Sequence, residues 1–180
     1  MPIPVRERTE ANATGTIAYL SIRSEPDDRG LQAAIFLVNE RAEPLDFCFN
    51  RVDLPNAILW RTGEARRHAI RSLLLSLLPA CPGRPELLLA EANELPPQIF
   101  TEDLEVDVPH CRVAAEPSLA TSVLEAAETV GERTHLFWVG GPPAPESRAR
   151  QLLQQLAARN LLTEPFERAA SGLDEAFRPS

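Results

Sequence analysis

Carboxylates are the side chains in this sequence that could carry chemistry, because its other reactive residues match no known catalytic motif. It contains no phosphate-binding loop, dinucleotide-binding glycine motif, serine-hydrolase elbow, metalloprotease histidine pair or kinase signature. Several carboxylates around Mg²⁺ or Mn²⁺ can support phosphodiester hydrolysis, because the cations hold the reacting oxygens in line. A rearranged centre of this kind could be formed by Glu64, Glu91, Glu94 and Glu146. Glu64 and Glu91 would be its metal ligands, and Glu102 and Asp103 could contribute further carboxylates. The alternative is that these carboxylates face solvent.

The cysteines and histidines form no metal or disulfide pattern. Cys48, Cys81 and Cys111 lie far apart in the sequence, without a C-x-x-C pair or neighbouring histidines. We therefore expect reduced, mostly buried cysteines. His135 opens a predicted strand and is expected to be a core or edge residue rather than a catalyst.

Charge and composition restrict the partners. The 180 residues carry a net charge of -8, and all 18 basic residues are arginines, as is typical of a GC-rich prokaryotic genome. A net-negative chain is a poor general binder of nucleic acid, so binding of that kind would require a local arginine face. Apolar runs are too short to cross a bilayer, and the N-terminus shows no secretory signal. We expect a soluble, cytoplasmic protein that does not bind membranes.

Two segments carry side chains that could bind a protein partner. Four arginines concentrate at the start of a predicted helix: Arg61, Arg66, Arg67 and Arg71. Arg67 and Arg71 share one face of that helix, which could bind a partner or could be a solvated face paired with Glu64. Trp60, in the preceding loop, could be an exposed anchor. The predicted partner-binding residues are Trp60, Arg61, Arg67, Arg71, Phe166 and Phe177.

Hydrophobic periodicity predicts an alternating set of strands and helices. Alternating or continuous apolar runs predict strands over 16–23, 31–39, 45–52, 86–91 and 134–139. Helical periodicity predicts helices over 63–78, 118–130, 146–159 and 165–177, with Ser118 as an N-cap. The proline-rich stretch 92–117 is expected to be mostly irregular.

This order predicts an α/β domain with the ribonuclease H-like fold. The expected order is β-β-β-α-β-α-β-α, with a five-stranded mixed sheet, helices on both faces and an extra C-terminal helix. We expect a flexible tail over 1–13, the domain over 14–160, and a helical extension over 161–180. The extension carries more apolar residues than a short terminal helix needs, so it packs either on the domain or on a partner.

Residues 16–103 resemble the endonuclease V branch of this fold. Residues 18–22 (AYLSI) and 32–35 (QAAI) are similar to the family's first two strands. Residues 55–62 (PNAILWRT) are similar to its Pro-Gly-aromatic-Leu-x-Phe-Arg-Glu segment before a helix, and residues 85–92 (PELLLAEA) to its Pro-Asp-Leu-Leu-Leu-Val-Asp-Gly strand.

The family's catalytic positions are largely altered. Its first-strand aspartate corresponds to Ser21, and its helix-entry glutamate to Thr62, although Glu64 follows two residues later. The fourth-strand aspartate corresponds to Glu91, and the family's strand-separating Pro-Tyr-Ile-Pro wedge is reduced to residues 53–55 (DLP). A neutral hydroxyl at position 21 is a poor substitute for a carboxylate shared by two dications.

The function expected from these residues is binding rather than catalysis. We expect a non-catalytic scaffold or accessory subunit that acts through a protein partner, within a nucleic-acid-processing complex, and without a cofactor. The alternative is a nuclease dependent on Mg²⁺ or Mn²⁺, with a rearranged carboxylate centre.

Overall fold

A mixed β-sheet forms the centre of the protein in the computed structural model, which describes residues 15–61, 63–116 and 122–178. The strands of these residues are β1 (Ile17–Ser24), β2 (Gly30–Val38), β3 (Pro44–Asp53), β4 (Leu87–Glu91), β5 (His110–Ala114), β6 (Glu125–Val130) and β7 (Thr134–Val139). Their order across the sheet is β3-β2-β1-β4-β5-β7-β6. The tail predicted over 1–13 lies outside the described residues.

The three N-terminal strands form the predicted antiparallel meander. β2 pairs with β1 on one side and with β3 on the other, both antiparallel. β4 and β5 then add in parallel to β1, and β7 and β6 close the sheet in antiparallel pairings. Because β1, β4 and β5 are parallel neighbours, their carboxyl ends meet at one edge of the sheet.

Helices cover both faces of the sheet, as the sequence predicts. They are α1 (Glu64–Ala80), α2 (Arg148–Ala158) and α3 (Glu164–Ala176), with a 3-10 turn over Ala57–Leu59 and a π-helical turn over Ile99–Asp103. α1 packs on the face that carries Ala18 and Leu20 of β1. α2 and α3 pack on the face that carries Ile17 and Tyr19. The helices described contain no segment long and apolar enough to span a membrane.

The prediction of five strands is wrong, because the described residues form seven. Segment 134–139 is a strand, but it is the seventh and runs antiparallel to its neighbours. The segment 92–117, expected to be irregular, contains β5 next to β4. The helix predicted over 118–130 is also wrong, since Glu125–Val130 is a strand; Ser118 lies outside the described residues. The element order predicted between β4 and α2 is therefore incorrect.

A buried ion pair explains why the sequences of β5 and β6 do not show the apolar pattern that predicts a strand. Arg112 of β5 is 1% exposed, and its guanidinium forms two hydrogen bonds of 2.7 and 2.8 Å to the carboxylate of Glu125 in β6. Arg112 also lies over the ring of Phe137 in β7, 5.4 Å from the ring centroid. A buried charge requires a partner of this kind, and the partner is 13 residues away in sequence.

The C-terminal helix packs on the same domain. Phe166 at the start of α3 is buried, and its ring meets the ring of Tyr19 edge to face at 4.8 Å. The Tyr19 hydroxyl donates a hydrogen bond of 3.1 Å to the carbonyl of Leu162. Phe177, just after α3, packs edge to face against Phe49 of β3 at 5.4 Å. Phe166 is therefore a core residue and not an exposed anchor, and Phe177 contacts its own sheet.

Candidate functional site

The carboxyl ends of β1 and β4 bring together two positions that the sequence singles out. The parallel register pairs Leu20 with Ala90, which places Ser21 beside Glu91. The Ser21 hydroxyl donates a hydrogen bond of 3.1 Å to Oε2 of Glu91. Two of the positions that the sequence analysis matched to the family's catalytic residues therefore lie in contact, as a hydroxyl and a carboxylate.

Burial dominates the electrostatics of Glu91. Its half-buried position raises the pKa of the carboxyl above the ordinary glutamate value, because desolvation penalises the charged form. The hydrogen bond from Ser21 acts in the opposite direction and lowers that pKa. The negative charge of Glu94 raises the pKa further, while the positive charge of Arg23 lowers it. The net effect is a carboxyl whose charged form is disfavoured, although Ser21 donates a hydrogen bond to it.

An arginine of α1 pairs with Glu94, a second acidic residue at this edge. Nη2 of Arg66 lies 2.8 Å from Oε2 of Glu94, in the turn that follows β4. Its Nη1 donates a hydrogen bond of 2.8 Å to the hydroxyl of Ser24, the last residue of β1. A guanidinium of the chain therefore pairs with Glu94 at the carboxyl ends of the parallel strands.

A cleft opens beside Glu91 on the face covered by α3. Its volume is about 450 Å³, and its lining includes Glu91, Asn93, Glu116, Thr163 and Glu167. Open α/β sheets commonly bind ligands in the crevice outside the carboxyl ends of their strands. The lining is acidic, so the cleft disfavours an anionic phosphate.

The other glutamates of the predicted rearranged centre lie elsewhere. Glu64 is exposed in the first turn of α1, which packs on the face opposite to that of Ser21 and Glu91. Glu146 precedes α2, where Arg148 lies 3.6 Å from Glu86, at the amino end of β4. Within residues 15–61, 63–116 and 122–178, no group of three or more His, Cys, Asp or Glu side chains is arranged to hold a metal ion.

Arg67 and Arg71 of α1 are engaged by the π-helical turn. Arg67 forms hydrogen bonds of 2.6 and 2.7 Å to the carboxylate of Asp103, and a further one of 2.8 Å to Glu102. These bonds, led by the one to Asp103, raise the pKa of Arg67 above its ordinary value. Nε of Arg71 lies 3.5 Å from the carbonyl oxygen of Asp103. Glu102 and Asp103 therefore pair with arginine rather than joining Glu91.

The loop between β3 and α1 presents an exposed apolar pair that the sequence analysis did not single out. Ile58 is 88% exposed and Leu59 is 82% exposed. Asn56 fixes the loop, because its side-chain oxygen accepts from the Ile58 N–H and its carbonyl accepts from the Leu59 N–H, both at 3.1 Å. Trp60, the predicted anchor, is half-buried and packs against the ring of His68. An apolar run between a strand and a helix, residues 57–60 (AILW), was the available signal for this surface.

Sequence comparisons give no assignment. The chain matches no protein-family model, and a search of curated proteins gives no significant match.

Solved structures show which fold the chain has. An endonuclease V from Streptomyces avermitilis superposes with a TM-score of 0.59 at 14% identity, over 92% of this chain and 82% of that one. An endonuclease V from Bacillus subtilis gives 0.60 at 11% identity, over 91% and 81%. A protein of unknown function from Archaeoglobus fulgidus gives 0.53 at 12% identity, over 90% and 99%. The endonuclease V-like fold predicted from the sequence is confirmed.

Proposed function

We propose that this chain is a non-catalytic scaffold with an endonuclease V-like fold, and that it acts by binding a protein partner. The observation that carries the proposal is the arrangement at the carboxyl ends of β1 and β4. There, Ser21 donates to Glu91, and Arg66 neutralises Glu94. These contacts occupy Glu94 and one oxygen of Glu91, and the position on β1 carries no charge.

The residues present do not fit a two-cation centre for phosphodiester hydrolysis. Such a centre requires carboxylates to neutralise two divalent ions, and Mg²⁺ selects octahedral oxygen ligands. Ser21 supplies a neutral hydroxyl at the position where the family resemblance implies an aspartate. A cation beside Glu94 would have to displace the guanidinium of Arg66, which costs two hydrogen bonds of 2.8 Å.

The surface that we assign to the partner is the apolar pair Ile58 and Leu59. Two adjacent aliphatic side chains that are more than four-fifths exposed lose water when a partner covers them, which favours association. Their loop is held by Asn56, so binding requires little ordering of the backbone. Phe166 is buried in the core, so the C-terminal segment offers a weaker surface than this loop.

Charge indicates the chemistry of the partner. A groove of about 780 Å³ beside the loop contains the exposed carboxylates Asp27, Asp28 and Asp53. Its arginines are paired with carboxylates; the pairs are Arg29–Asp27, Arg51–Asp53 and Arg66–Glu94. Asp27 and Asp53 are neutralised by these pairs, so the preference for a partner with basic side chains beside an apolar pocket follows from the net charge of -8.

The binding surface is tested by a pair of matched double variants. Ile58→Asp with Leu59→Asp places charges in the assigned surface, and Val123→Asp with Leu124→Asp does the same at another exposed apolar pair. A partner recovered with the wild-type protein from the native host is purified, and its affinity for each variant is measured by titration calorimetry. Circular dichroism checks that both variants are folded.

The expected result is a loss of affinity of about tenfold or more for the loop variant, with the control within about twofold of the wild type. Equal affinities for the two variants would contradict the assigned surface. The failure of the wild-type chain to retain any partner would contradict the scaffold function itself.

A further inference from the structure

Alternate residues of the edge strand β3 face different helices. Asn50 donates a hydrogen bond of 2.9 Å from its side chain to the hydroxyl of Ser76 in α1. Phe49 packs instead against Phe177, which follows α3 on the opposite face. Side chains two residues apart share a face of a strand, so Cys48 faces α1 together with Asn50.

The end of α1 brings a second cysteine to Cys48. Cys48 and Cys81 both pack against the hydrophobic cluster between α1 and the sheet, which includes Leu73, Leu74 and Leu77 of α1. Cys81 is the residue that ends α1, and its N–H donates to the carbonyl of Leu78. The thiols of Cys48 and Cys81 interact closely enough for each to shift the pKa of the other. Sequence separation alone gave no reason to pair them.

This thiol pair is reachable from solvent, and its two members differ in acidity. Both cysteines are half-buried, whereas Cys111 is fully buried. The interaction with Cys81 lowers the pKa of the Cys48 thiol, although burial and the nearby charge of Asp46 oppose that shift. The interaction with Cys48 and burial raise the pKa of the Cys81 thiol. Thiolates are the attacking species in disulfide exchange, so Cys48 is the nucleophile of the pair.

We propose that Cys48 and Cys81 form a reversible disulfide by exchange with a low-molecular-weight disulfide such as oxidised glutathione. The Cys48 thiolate attacks one sulfur of the small disulfide, forms a mixed disulfide and releases one thiolate. Cys81 then loses its proton and attacks the Cys48 sulfur, which forms the Cys48–Cys81 bond and releases the second thiolate. Two protein thiols are oxidised, one small disulfide is reduced to two thiols, and the protein protons are taken up by the released thiolates.

The bond would close a loop that contains the connection between β3 and α1. Ile58 and Leu59, which we assign to partner binding, lie inside that loop. The bond stabilises the folded state because it restricts the unfolded chain. The chemistry does not depend on the proposed function, and its readouts require no partner.

The test exposes the purified full chain to oxidised glutathione, followed by alkylation of free thiols and peptide mapping by mass spectrometry. The variants Cys48→Ser and Cys81→Ser remove one member each, and Cys111→Ser is the matched control. Thermal unfolding is recorded for each protein before and after oxidation, and again after reduction with dithiothreitol.

The expected product of the wild type and of Cys111→Ser is a linked Cys48–Cys81 peptide, with a higher unfolding midpoint that reverts on reduction. Cys48→Ser and Cys81→Ser should retain glutathione as a mixed disulfide or remain reduced, without the rise in midpoint. Stable glutathione adducts on the wild type, unmodified thiols, or linkage only between chains would each overturn the proposal.

Discussion

Replacement of Ser21 by aspartate restores the carboxylate that the family resemblance implies at this position, and it tests how the site is built. The matched control is Ser21→Asn, which has the same shape but no charge. Ser21 is buried, and its hydroxyl lies 3.1 Å from Oε2 of Glu91. The two carboxylates of the aspartate variant would therefore lie side by side.

The expected loss of stability follows from the short distance between the two carboxylates. Two unit charges about 4 Å apart repel by about 4 kcal/mol at an effective dielectric constant of about 20. The pair can instead take up a proton, which costs about 3.7 kcal/mol at pH 7 for an ordinary glutamate with a pKa of about 4.3. Burial already raises the pKa of Glu91, which makes protonation easier. We expect Ser21→Asp to be about 2–3 kcal/mol less stable than Ser21→Asn at pH 7.

The assay is urea unfolding of both variants and the wild type between pH 5 and pH 8, with and without Mn²⁺. The gap between Ser21→Asp and Ser21→Asn should narrow as pH falls, because the pair then holds its proton. Mn²⁺ should stabilise Ser21→Asp and leave the wild type unchanged. The reasoning is refuted if the two variants are equally stable at every pH, or if Mn²⁺ stabilises the wild type as much as Ser21→Asp.

Three further predictions concern buried groups. Arg112→Met should lower the free energy of unfolding by about 3–5 kcal/mol in urea, because Glu125 is left charged and buried. A decrease below about 1 kcal/mol would contradict the ion pair. Phe166→Ala should lower the free energy of unfolding by about 3–5 kcal/mol in the same assay, since the Phe166 ring packs on Tyr19. An unchanged free energy of unfolding would show that Phe166 is not a core residue. Glu91→Gln should be more stable than the wild type at pH 8, because burial raises the pKa of Glu91 and its ionisation opposes folding. This difference in unfolding free energy should disappear toward pH 4, and a difference that grows toward pH 4 would contradict the prediction.

The parts of the fold that were predictable are those with a strong apolar pattern. β2 is buried on both faces, and its continuous apolar run identified it. β6 carries the helix-favouring run Glu-Ala-Ala-Glu, but its pairing with β7 overrides that preference. Trp138 Nε1 donates to Glu128 of β6 at 2.8 Å, and Arg150 binds the same carboxylate. Such compensation between distant residues cannot be read from local sequence.

Some residues of the candidate site were predictable from the sequence and others were not. The positions of Ser21 and Glu91 followed from the resemblance to strands of a known fold, and the parallel register brings them into contact. The role of Arg66 did not follow, because its partners Ser24 and Glu94 lie 42 and 28 residues away. Its assignment required the packing of α1 on the sheet.

The most direct test of the central claim is a cleavage assay on the purified full chain with Mg²⁺ or Mn²⁺. The substrates are single- and double-stranded DNA and RNA, including inosine-containing strands, and Glu91→Ala is the control. Since Ser21 is neutral and Arg66 neutralises Glu94, the wild type should cleave none of them above the buffer background. Reproducible cleavage by the wild type that disappears in Glu91→Ala would contradict the account and establish the metal-dependent nuclease.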